Sequence, residues 1–143
     1  MVYGSKTVWD LHALTANSLH IVIISVNPCN LIYSLVPAQI AIRPNQTIAV
    51  DAGNTITFVC VASGDPNPSI SWNKGDTVLN NDSRITIYEN LVTENGVALV
   101  QSILELRSTE EADAGQYSCF AENVLGNDTA SFVLTVNAQS KQH

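Results

Sequence analysis

The chain has 143 residues, 45% of them apolar, which is enough for one compact domain with a few dozen residues over. Six Lys and Arg against thirteen Asp and Glu give a net charge of −7, so the basic footprint needed for nucleic acid, anionic lipid or heparin is missing. Three cysteines without a CxxC pair, and three histidines (His12, His20, His143) that all lie outside residues 37–137, leave no zinc-site spacing.

Residues 1–36 read differently from the rest: an apolar run, Leu19 to Val26, then Asn27-Pro28-Cys29-Asn30, then a second run, Leu31 to Val36. Val36-Pro37-Ala38 offers small residues where a signal peptidase would cut, after Ala38, whereas Lys6 opposed by Asp10 is a poor charged start for a leader. The same stretch reads equally as an alternative first exon. A proline and two asparagines within Leu19 to Val36 disfavour a membrane-spanning helix, and no direct membrane insertion by the domain is expected. Cys29 stands alone in this segment.

From Ile40 the pattern becomes period-two alternation broken by turn residues every eight to twelve positions. Ile48 and Val50 alternate before Asp51-Ala52-Gly53. Ile56, Phe58, Cys60 and Ala62 then share one face of a strand, and Gly64-Asp65-Pro66-Asn67-Pro68 ends it. Ile70 and Trp72 resume the inward face, Lys74-Gly75-Asp76 turns the chain, and Ile85 and Ile87 alternate within the next strand. Asn95-Gly96 is a two-residue turn signal, followed by Leu104 and Leu106 as an inward pair. After the Asp113-Ala114-Gly115 corner, Tyr117, Cys119 and Ala121 alternate, as do Ala130, Phe132, Leu134 and Val136 in the last strand. Seven or eight short strands without a helix imply an all-β, two-sheet sandwich over residues 37–137, with a polar tail at 138–143.

Cys60, Trp72, Tyr117 and Cys119 stand at the spacing of the immunoglobulin fingerprint, and Asp113-Ala114-Gly115-Gln116-Tyr117-Ser118-Cys119 matches its corner motif without a gap. Cys119-Phe120-Ala121-Glu122-Asn123-Val124-Leu125-Gly126 matches the I-set ending. The segment thus resembles an I-set immunoglobulin-like domain of the immunoglobulin superfamily. The resemblance implies a Greek-key sandwich with one inter-sheet disulfide, Cys60 to Cys119, against which Trp72 packs. It also implies that the Tyr117 hydroxyl closes the Asp113 corner with Gly115 at its tight point, and that Arg84 pairs with Asp113. A Cys60–Cys119 bridge requires an oxidising compartment. The span between these cysteines exceeds the I-set norm, and the excess at Asn90 to Gly96 reads as an extended loop.

The expected function is non-enzymatic: an extracellular recognition module, secreted or at the cell surface, that binds another protein in adhesion or receptor signalling, with homophilic binding among the options. A structural spacer, as a fragment or isoform of a larger multidomain protein, is the alternative. An intracellular I-set domain of the muscle-protein kind is the compartmental rival, and it commonly lacks one or both bridge cysteines. A short likeness of Leu125 to Ser131 to neuregulin immunoglobulin domains comes without their basic surface. With no histidine and only Lys74 as a lysine between 37 and 137, neither a catalytic site nor a small-molecule substrate is expected. No cofactor or metal is expected either, and Glu110-Glu111 with Asp113 reads as a solvated corner. Candidate N-glycosylation sites are Asn45, Asn81 and Asn127, a number close to what random order would give in this composition. No contiguous aromatic patch marks a ligand-binding surface.

Overall fold

Period-two alternation becomes strands wherever one face can be buried, and the computed structural model describes residues 12–13, 20–25 and 30–138. Cys29 and positions 139–143 of the tail lie outside the described residues. The strands are β1 (His12–Ala13), β2 (His20–Ser25), β3 (Asn30–Ile42), β4 (Thr47–Asp51), β5 (Ile56–Asp65) and β6 (Ser69–Lys74). They continue as β7 (Thr77–Val78), β8 (Ile85–Glu94), β9 (Val97–Leu106), β10 (Gly115–Asn123) and β11 (Gly126–Asn137). A 3-10 turn, Glu111–Asp113, is the helical element among the described residues.

Two sheets result, one in the order β1-β2-β3-β5-β9-β8 and the other β4-β11-β10-β6-β7. The first edge of the sandwich is shared between them. Strand β3 pairs antiparallel with β5, then the chain breaks at Arg43-Pro44-Asn45, and β4 crosses to run parallel to β11. Pro44 supplies no N–H for a ladder, which suits the crossing point. Strand β3 runs continuously through position 37, and its first half pairs with β2 from Asn30↔Ser25 to Leu35↔His20.

The inward residues of both sheets form one core: Phe58, Ala62, Leu104 and Leu106 from the first, and Ile70, Trp72, Tyr117, Phe132 and Leu134 from the second. Phe58 stacks tilted on Phe132 with centroids 4.7 Å apart, and Trp72 meets Phe132 edge-on at 6.2 Å. Each such fully buried aromatic or aliphatic side chain contributes about 1.5–3 kcal/mol of transfer free energy.

The added length before Asn95-Gly96 corrects one expectation. Asn90 to Glu94 do not loop out: they continue β8, in register with Gln101 to Val97 of β9. The reason is local. Asn95 (φ 51) and Gly96 (φ 78) adopt the left-handed pair that a two-residue hairpin needs, so the alternating residues on either side keep pairing up to the turn.

Candidate functional site

Cys60 on β5 and Cys119 on β10 are joined across the sheets, with a Cα separation of 6.6 Å and a sequence separation of 59. Closing a loop of that size stabilises the fold by roughly 4 kcal/mol in the chain-entropy account. Trp72 lies opposite Cys119 in the β6–β10 ladder and is 1% exposed. Its indole N–H donates to the Ser102 hydroxyl at 2.9 Å, and Ser102 itself is wholly buried beside Cys60 on the neighbouring strand. Sequence reasoning missed Ser102. Its signal was present, because it holds the same inward phase as Leu104 and Leu106, where a lone hydroxyl must find a polar partner.

At the opposite end of the sandwich, the Tyr117 hydroxyl donates to the Asp113 carbonyl at 2.7 Å, four residues back. Burial pushes this phenol up to about 12, the Asp113 charge adds to the rise, and Arg84 opposes it. Gly115, at φ 145, forms the corner between them. Arg84 reaches from the start of β8 to the Asp113 carboxylate, and its Nε donates to the Arg107 carbonyl. Burial works against the Arg84 charge, but the hydrogen bond and charge of Asp113, with Glu110 and Asp82, outweigh it and hold the guanidinium above its ordinary value. Asp113 also accepts from the Glu110 N–H at 2.7 Å, so one carboxylate ties the turn to the strand beneath. Leu106, 2% exposed, packs in the core as β9 ends.

A second hub sits at the other pole. Asn123 accepts from the Ala38, Leu125 and Gly126 N–H groups, and its amide donates to the Val36 and Pro66 carbonyls at 2.8 and 2.9 Å. It therefore pins β3, the Pro66 loop and the β10–β11 turn together. Nearby, Asp128 accepts from the Ile40 N–H and pairs with Arg43 at 2.9 Å.

Asn45, Asn81 and Asn127 are all exposed. Asn81 has a further role, accepting from the Ile87 N–H at the outer edge of β8. Among the described residues, one recess is lined by Ile70, Trp72, Leu79, Asn81 and Ile87, and another by Val36, Ser63, Asp65 and Val97 among others. Neither of these two recesses brings two titratable side chains together.

Residues 38–136 match the immunoglobulin I-set domain family. The chain belongs to that family. As an I-set domain it is of a typically non-catalytic kind. It is 38% identical over 101 residues to the cell adhesion molecule DSCAML1 of Homo sapiens, covering 71% of this chain and 5% of that one. It is 33% identical over 105 residues to smooth muscle myosin light chain kinase of Gallus gallus, covering 73% of this chain and 5% of the kinase. Among solved structures, a chain from a mutant complex of titin M10 with an obscurin-like 1 immunoglobulin domain matches with a TM-score of 0.62 at 27% identity, over 76% of this chain and all of that one. The I-set domain here spans only 1–16% of the length of the curated relatives it matches. Those relatives include both adhesion molecules and muscle proteins.

Proposed function

We propose that the chain acts as a non-enzymatic extracellular recognition module that binds another protein in cell adhesion or receptor signalling. The observation that carries this reading is the Cys60–Cys119 bridge at the centre of the core. Such a bridge forms and persists in oxidising compartments, and similarity to an adhesion molecule supports the same placement. The three exposed sequon asparagines suit glycan attachment there. The test is an array of cell-surface ectodomains, this chain included, probed with the full chain. Saturable binding to one or a few ectodomains is expected, and binding no better than a scrambled control to every one would sink the proposal.

A second reading, a spacer within a longer protein, is favoured by the small share of each relative that the domain spans. Full-length transcript sequencing tests it: exons for further domains joined to this one are expected, and their absence in every transcript would refute it.

A further inference from the structure

Strand β8 ends the first sheet, and among the described residues its outer side pairs with no other strand. The backbone groups that face outward can be assigned. The Ile87 N–H donates to the Asn81 side chain, and the Ile85 N–H donates to Asp82, whose own N–H donates to the Ile85 carbonyl. Residues that alternate with Ile85 and Ile87 share this direction, and the β8–β9 register runs unshifted to Glu94, so Glu89, Leu91 and Thr93 also present N–H and C=O outward. Asn81 and Asp82 thus cover the first half of the edge. The second half, centred on Leu91, carries no hydrogen bond from the described residues.

We infer that this open half-edge pairs antiparallel with the same segment of a second copy of the chain, about a two-fold axis through Leu91. The inference deepens the recognition reading and rests on it, naming the partner and the surface.

Several features select this occupant and this register. Proteins ordinarily blunt an exposed edge with a charge, a proline or a bulge at its centre. Here the centre is Leu91, 68% exposed, in a strand without proline or register shift. A two-fold axis perpendicular to the sheet sets each residue opposite one that points to the same face, so the axis must pass through a residue. Through Leu91 it opposes Leu91 with Leu91, Glu89 with Thr93, Asn90 with Val92 and Tyr88 with Glu94. No like charges meet, and every free outward N–H and C=O of Glu89, Leu91 and Thr93 finds its complement. Through Glu89 the axis would set Glu89 against Glu89, which cross-strand pairing disfavours. Through Tyr88 it would bring Glu94 onto Asp82, in the half of the edge already covered. The overlap therefore stops where Asn81 and Asp82 begin, and the first sheets of the two copies become continuous through β8.

Sedimentation equilibrium of the full chain tests this, with Leu91→Glu and Leu91→Lys as paired variants. Leu91 is solvent-exposed, so either substitution leaves the fold intact, which is checked by an unchanged Tm at a concentration low enough that the native chain is monomeric. Each variant alone sets like charges across the axis and should weaken dimerisation at least tenfold, while an equimolar mixture of the two should restore it. In a Cys29→Ser background, Leu91→Cys should form an intermolecular disulfide on mild oxidation, since directly opposed residues of a ladder lie within disulfide reach. A native chain that stays monomeric to about 1 mM overturns the inference. So does a dimer that persists in both charged variants. If that monomer still binds another ectodomain saturably, the recognition reading stands and the second-copy inference alone has failed.

Discussion

Removing the Ser102 hydroxyl probes the centre of the core with little change in shape. In Ser102→Ala the Trp72 indole N–H, now without an acceptor in a site 1% exposed, keeps its desolvation penalty and gains nothing. The space left by one hydroxyl is too small to admit a water in its place. An orphaned buried donor costs about 1–3 kcal/mol, and for a domain of this size ~2 kcal/mol lowers Tm by roughly 10 °C. Urea titrations followed by far-UV circular dichroism, with the disulfide intact, give the free energy directly. The decisive control is the same change in a Trp72→Phe background, where no indole N–H remains to be orphaned. There Ser102→Ala should cost under about 0.5 kcal/mol, leaving a coupling energy above ~1 kcal/mol. Equal costs in the two backgrounds would refute the argument, because the hydroxyl would then matter for some reason other than the indole.

Other substitutions test the poles of the sandwich. With the Tyr117 phenol pushed up to about 12 by burial and then by Asp113, its contribution to stability is complete below the unfolded tyrosine value near 10 and lost as pH rises through 12. Tm should therefore fall in that window, and Tyr117→Phe should lose about 1 kcal/mol at neutral pH while showing a shallower alkaline fall. Arg84→Met strips the cation from an Asp113 side chain that is 14% exposed, and should cost about 1–2 kcal/mol. Arg43→Met, whose partner Asp128 is more exposed, should cost less, and a reversed order by denaturant titration would contradict the burial argument. Asn123→Ala frees three chain segments at once. It should cost about 2 kcal/mol and speed hydrogen exchange at the Ala38, Leu125 and Gly126 amides, whereas unchanged exchange would show that the hub is dispensable.

The strand pattern and the core were legible in the sequence because period two reports burial directly. Phe58, Cys60, Trp72, Leu104, Tyr117, Cys119 and Phe132, each assigned to an inward face, are all buried. Pairing partners were less legible, since alternation gives a strand's face but not its neighbour. Nothing in Thr47–Asp51 signals that it lies parallel to Val133–Asn137, or that β3 lies in the other sheet. Polar hubs were hidden for a related reason. Asn123 acts on residues 57 to 87 positions away, and its offset in the I-set ending says nothing about which carbonyls it meets. The extended β8–β9 hairpin was within reach. Leu91 and Thr93 before Asn95-Gly96, with Val97 and Leu99 after it, are alternating residues around a turn, and the surplus length is taken up as added strand on both sides of it.

The central claim is a bridged I-set domain of the oxidising compartment, and the state of its thiols tests that most directly. Protein isolated from the cells that make it would be alkylated without reduction, digested and read by mass spectrometry. The account predicts a peptide pair linked through Cys60 and Cys119, with neither cysteine alkylated. Recovery of both as alkylated free thiols in folded protein would contradict the placement and favour an intracellular domain.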